Sequence, residues 1–176
     1  MHSPSQRERL FDEIVNVVKD YAILKVPAQE IDSKNYEGIN LNKLEALEVA
    51  EVLDKLSPDL AYVDSPTAPD GAFFETLIRG FLKNQKVEIK AGHKYDSKFP
   101  IVSAASILAK VTRDREVSKI EKEMGEVIGS GYPSDPRTIN FVKNRKDDKI
   151  VKYVRKTWST WERLNPKKDQ SSLSDF

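Results

Sequence analysis

The sequence predicts an α/β fold in which helices cover a sheet containing a strand–helix–strand unit. Two observations carry this. The runs Leu60 to Asp64 (LAYVD) and Val87, Ile89 and Ala91 up to Gly92 read as short strands, and Phe73 to Leu82 (FFETLIRGFL) between them has the spacing of an amphipathic helix. Right-handed crossover makes the two strands parallel. Asp64 and Asp96, each at or just past a strand's C-terminal end, then fall on one edge of the sheet, where ligands sit in open α/β sheets.

The other elements follow in order. Ser3, Pro4 and Gln6 make an N-cap, a first-turn proline and the N3 partner of a capping box, opening a helix with Leu10, Ile14, Val17 and Val18 on its inner face. Tyr21 to Val26 reads as a short strand ended by Pro27, and Ala28 to Ile31 as a helical turn before the Gly38 loop. Asn40 or Asn42 caps a helix carrying Leu44, Leu47, Val49, Ala50, Leu53 and Leu56 at a 3.6-residue period until Pro58. Pro100 opens a long helix with small residues from Ser103 to Ser106. The GSGYPSDP run is a stiff loop presenting Tyr132; Asp135 caps and Pro136 begins the next helix. Ile150, Val154, Trp158 and Trp161 mark one face of a last helix. The expected organisation is one domain over residues 1–164 and a flexible polar tail over 165–176.

Composition narrows the function classes. With 29 basic and 28 acidic residues among 176, the formal net charge is +1, so any nucleic-acid surface must be local. The absence of cysteine excludes a disulfide scaffold and a thiolate metal site. No apolar run approaches the ~20 residues that span a bilayer, and the polar start MHSPSQRERL shows no signal peptide. A soluble, cytoplasmic protein is expected.

The chemistry concentrates between Lys90 and Glu116. Asp64 and Asp96 either share a divalent cation through hard oxygen ligands or cap local turns. His93, Lys94, Lys98, Lys110, Arg113 and Arg115 around Asp96 either suit a polyanion held near a metal or a general base, or form a solvated, charged surface around an ordinary helix. Tyr132, on its stiff loop, is either a platform for a sugar or base or a packing lid.

Taken together, SPSQRERLFDEI, VPAQEID, NLNKLEALEV, YVDSP, HKYDSKFPIVSAASILAKVTRDRE, GSGYPSDPRT and VRKTW resemble the archaeal ribonuclease HII family over nearly the whole chain. The resemblance implies a ribonuclease H-like mixed sheet flanked by helices, with a helical C-terminal part. It implies a metal-dependent endoribonuclease, using Mg2+ or Mn2+, that cuts the RNA of RNA/DNA hybrids and single ribonucleotides in duplex DNA on their 5′ side. Asp64 and Asp96 match two catalytic, metal-binding acids of the family. Tyr132 matches the tyrosine that stacks on the sugar at the RNA–DNA junction. Ser103, Lys110 and Arg113, by position and charge, are the expected phosphate contacts.

The sequence departs from the family in one respect. The DEAGRG motif on the family's first two strands, which supplies the other two of four catalytic acids and the backbone that senses the 2′-hydroxyl, has no counterpart here. Three explanations are open: an incompletely read gene or a partial piece of the protein, a split enzyme completed by another chain, and a non-catalytic nucleic-acid or clamp-binding remnant. The departure also leaves one edge of the Leu60 to Asp64 strand unpaired, so either Tyr21 to Val26 moves in beside it or the chain is poorly stable or self-associates there. At the C-terminus, Gln170, Leu173 and Phe176 stand in the pattern Q-x-x-L-x-x-F. This resembles the sliding-clamp-binding peptide of archaeal replication and repair enzymes, with one aromatic where two are usual.

Overall fold

The strand–helix–strand unit forms as the pattern requires. In the computed structural model, which describes residues 3–66, 71–145 and 148–165, β1 (Leu60–Asp64) pairs in parallel with β2 (Glu88–Gly92). The register sets Ala61 opposite Ile89 and Asp64 opposite Gly92. Helix α4 (Gly71–Phe81) crosses between them, and α3 (Leu41–Leu56) packs on α4. Alternation along the strands sends Ala61 and Ile89 into a core with Ala46, Ala50 and Leu53 of α3, Phe74 and Ile78 of α4, and Leu82 and Val87 beyond it. Tyr62 and Asp64 therefore belong to the opposite face, where the Tyr62 ring lies 4.4 Å from that of Phe99.

Three local devices fix this unit. A Cβ on Gly71 would sit 2.0 Å from the Ala91 carbonyl oxygen, so only glycine lets α4 start against β2. Asn40 caps α3 by accepting the Lys43 N–H at 3.0 Å, and Ser57 ends it in the left-handed region at φ 47°. The Asp54 carboxylate accepts the N–H groups of Lys83 and Asn84, tying the turn after α4 to the end of α3.

The chain forms two compact units, one from Met1–Lys25 and Ile39–Lys119, the other from Val26–Gly38 and Ile120–Phe176. The first also contains α1 (Pro4–Val17) and most of α5 (Pro100–Met124). The capping box of α1 is present, with the Ser3 N–H donating to Gln6 at 2.8 Å and the Gln6 N–H to Ser3 at 3.3 Å. Of the expected apolar inner face of α1, Leu10, Ile14 and Val18 are half-buried, whereas Val17 is 81% exposed. Arg7 also pairs with Asp114 of α5 at 2.6 Å, and Arg115 pairs with Glu8 while its guanidinium covers the Phe11 ring at 4.3 Å. Such half-exposed pairs contribute up to about 1 kcal/mol each, and they take Arg115 out of the basic group expected around Asp96. Further along α5, Lys119 and Lys25 hold the Glu116 carboxyl down to about 2.

Two expectations for the sheet need correction. Tyr21 to Val26 is not a strand, and it does not move in beside β1. The sheet among the described residues is the parallel pair alone, so the α/β class holds without the mixed strand directions expected. A strand exists only through its ladder, and Tyr21 to Val26 has no ladder partner.

The second unit is helical: α2 (Ala28–Tyr36), the end of α5, α6 (Pro136–Asn144), α7 (Asp148–Val151) and α8 (Ser159–Leu164). α2 is longer than the expected single turn. The single last helix is broken into α7 and α8, and Trp158 and Trp161 are half-buried while Ile150 and Val154 form the core. The cause is Asp32 of α2, 6% exposed, which accepts the Lys156 N–H at 2.6 Å, the Thr157 N–H at 3.0 Å and the Thr157 hydroxyl at 2.6 Å. Those amides would otherwise continue the helix. Burial pushes the Asp32 carboxyl up, but the Thr157 hydroxyl and the two amides outweigh it and hold the group below its usual range. Residues 166–176, with Gln170, Leu173 and Phe176, lie outside the described residues.

Candidate active site

Parallel pairing brings the ends of β1 and β2 to one edge, and the chain beyond β2 turns back over that edge. Lys94 adopts the left-handed conformation at φ 58°, and a 3₁₀ turn over Tyr95–Ser97 follows. Its carbonyl accepts both the Ser97 hydroxyl, at 2.8 Å, and the Ser97 N–H, at 3.2 Å. This tight turn directs the Tyr95 N–H at Asp64, whose Oδ1 accepts it at 2.8 Å. Ser65, just past β1, donates its own N–H to the Gly92 carbonyl at 3.0 Å. Asp64, exposed at the tip of β1, is thereby locked beside the turn that carries half-buried Asp96.

Three aromatic rings pack together beside this turn. Tyr95 meets Phe99 at 4.8 Å, and Phe99 meets Tyr62 at 4.4 Å. A cleft of about 470 Å³ opens beside them, lined by Gly71, Gly92, His93, Lys94, Tyr95 and Lys98. Lys94 and Lys98 are exposed, so the cleft presents positive charge along the turn that carries Asp96. Carboxylates at such an edge offer the hard oxygens that a divalent cation takes, and lysines nearby suit a phosphodiester.

The remaining expected residues distribute as follows. Ser103, Lys110 and Arg113 all lie on α5; Ser103 and Lys110, seven residues apart, share a face, and Lys110 is exposed. Arg113 is half-buried and lies 3.8 Å from Asp114. Tyr132 is on the loop between α5 and α6 in the second unit, 46% exposed. Sequence reasoning missed Tyr95, whose contribution is a backbone N–H and leaves no residue-type signal. Among the described residues, no group of three or more His, Cys, Asp or Glu side chains could hold a metal ion. No helix among them is long and apolar enough to cross a membrane.

Comparison with solved structures places this fold in a class. The chain matches the crystal structure of ribonuclease H2 from Pyrococcus horikoshii with a TM-score of 0.78 and 39% identity, covering 93% of this chain and 77% of that one. It matches ribonuclease HII from Archaeoglobus fulgidus, solved in complex with PCNA, with a TM-score of 0.79 and 33% identity over 99% of this chain and 80% of that one. Bst-RNase HIII, at a TM-score of 0.69 and 14% identity, shares the fold. The class is that of ribonuclease H-type endoribonucleases.

Within it the family is specific. The ribonuclease HII family model matches residues 2–161. Ribonuclease HII of Thermococcus kodakarensis is 44% identical over 177 residues, covering 98% of this chain and 75% of that protein. That of Methanoregula boonei is 45% identical over 176 residues, covering 99% and 80%. The chain belongs to the ribonuclease HII family, which disfavours the reading as a non-catalytic binding module.

Proposed function

We propose that this chain acts on RNA/DNA hybrids and on duplex DNA containing single ribonucleotides, cutting on the 5′ side of the ribonucleotide, with Asp64 and Asp96 as its metal-binding carboxylates. The observation that carries the proposal is the Tyr95 N–H bond to Asp64, which fixes one carboxylate beside the turn bearing the other. Their donor chemistry fits the group: Mg2+ and Mn2+ prefer hard oxygens, and Mg2+ commonly takes one or two carboxylates, with water and substrate phosphate completing the shell. When bound, such a metal activates water and stabilises the charge on the leaving oxygen.

The chain's own residues orient the substrate. Lys110 and Ser103, on one face of α5, take backbone phosphates, and Arg113 adds charge there. Tyr132 stacks on the sugar at the RNA–DNA junction. With two carboxylates where the family uses four, hydrolysis by these 176 residues alone is slow and weakly metal-bound. Gln170, Leu173 and Phe176 form a clamp-binding tail in this reading. The Archaeoglobus fulgidus relative, solved with PCNA, supports clamp binding as such, and the tail assignment rests on the spacing of the three residues.

The test is cleavage of a duplex with one ribonucleotide, with excess protein and Mg2+ or Mn2+, beside an all-DNA duplex. The proposal requires a cut only in the first, at the 5′ side of the ribonucleotide. Equal cutting of both duplexes, or of neither, would overturn it.

A further inference from the structure

The loop that carries Tyr132 is pinned by side chains in an unusual way. The four consecutive N–H groups immediately before Tyr132 all donate to side-chain oxygens. Those of Ile128 and Gly129 donate to Glu121 Oε1 at 2.8 and 3.1 Å, that of Ser130 to Asp135 Oδ2 at 2.8 Å, and that of Gly131 to Thr138 Oγ1 at 3.0 Å. Thr138 closes the bracket by donating its hydroxyl to the Ile128 carbonyl at 2.9 Å. Asp135 accepts the Arg137 N–H as the cap of α6, and its own N–H donates to the Tyr132 carbonyl at 3.0 Å.

This bracing goes beyond what a loop needs in order to close. Gly129 at φ 83° and Gly131 at φ 71° already allow the tight path. A Cβ on Gly129 would come within 2.7 Å of Asp135 Oδ2, so the carboxylate seats directly on the glycine. Thr138 is 3% exposed, whereas Tyr132 is 46% exposed. Burial therefore does not fix the tyrosine ring, whereas the backbone on which it stands is fixed by the bracket.

We infer that Thr138 and Glu121 are positioning residues that pre-set Tyr132 for its substrate, acting through the backbone of residues 128–131. The inference rests on the reading of Tyr132 as the contact to the ribonucleotide sugar. It deepens that reading by naming what supplies its rigidity. A loop ordered before binding does not have its ordering charged against affinity. Loosening it should cost roughly tenfold in affinity for the ribonucleotide-containing duplex.

The experiment uses the full chain with Thr138→Val, which keeps the shape and removes the hydroxyl, and with Thr138→Ser, which restores it. Glu121→Ala is a second route that releases different amides, should the valine variant fold poorly. Two quantities are read: hydrogen exchange of the residue 128–131 amides, and affinity, without divalent metal, for a duplex with one ribonucleotide against its all-DNA counterpart. Tyr132→Ala is the reference.

Thr138→Val and Glu121→Ala are expected to lose amide protection and to fall about tenfold in affinity for the ribonucleotide duplex, towards the Tyr132→Ala level, with all-DNA affinity unchanged. Thr138→Ser should recover both. If protection is lost while ribonucleotide affinity stays at the wild-type level and Tyr132→Ala weakens it, the positioning role is overturned and the Tyr132 reading stands. If Tyr132→Ala itself leaves affinity unchanged, the reading of Tyr132 fails and the positioning role falls with it.

Discussion

Replacing Asp64 with asparagine is expected to slow ribonucleotide-directed cleavage by at least about 100-fold, equivalent to about 2.7 kcal/mol of transition-state stabilisation. Asparagine keeps an oxygen that can accept the Tyr95 N–H, so the 2.8 Å bond and the local fold should survive. What is lost is the negative charge that a hard cation requires. Duplex affinity should therefore change little, because the basic residues of the cleft and of α5 are untouched. Single-turnover rates with saturating protein, together with separate binding measurements, distinguish the two effects. A loss confined to binding would place Asp64 outside the chemistry.

The largest effect on stability is expected at Phe74. It is 1% exposed, at the centre of the core that joins α3, α4 and the two strands. Truncating a buried phenylalanine to alanine costs about 3–5 kcal/mol through lost transfer energy and the cavity left behind. For a chain of this size the melting temperature should drop by roughly 10 °C. The adjacent Phe73 is the control, since it is 56% exposed and its truncation should stay within about 0.5 kcal/mol. Thermal unfolding of both variants checks this. Equal losses would mean that the two faces of α4 are not distinguished as described.

The features legible in the sequence are those whose causes lie within a few residues. The Ser3–Gln6 capping box, the Asn40 cap and the Asp135–Pro136 start of α6 each combine a residue type with a short spacing, and all three form. The strand–helix–strand unit was legible as well, because period-two and period-3.6 patterns meet around it and the crossover rule sets its direction. The misreadings have distant causes. The break in the last helix is imposed by Asp32, 124 residues before the Lys156 amide it accepts. The ion pairs of α1 have partners 107 residues away. Tyr21 to Val26 has strand-like composition, but no neighbouring strand turns that composition into a ladder.

The candidate site divides along the same line. Asp64 and Asp96 were visible as acids at strand ends, and the resemblance to ribonuclease HII gave them a role. The bond that fixes Asp64 to the turn carrying Asp96 was not visible, because it joins a side chain to the Tyr95 backbone N–H 31 residues later. The left-handed Lys94 that aims this N–H has no composition signal either, since lysine is not a residue expected at positive φ.

The central claim is that Asp64 and Asp96 act as one metal-binding pair. Its most direct test is a titration with Mn2+ followed by electron paramagnetic resonance, on the unsubstituted chain and on Asp64→Asn, Asp96→Asn and the double variant. The pair predicts weak binding in the unsubstituted chain that either single substitution removes, with no further loss in the double variant. Binding that is the same in all four proteins would contradict it.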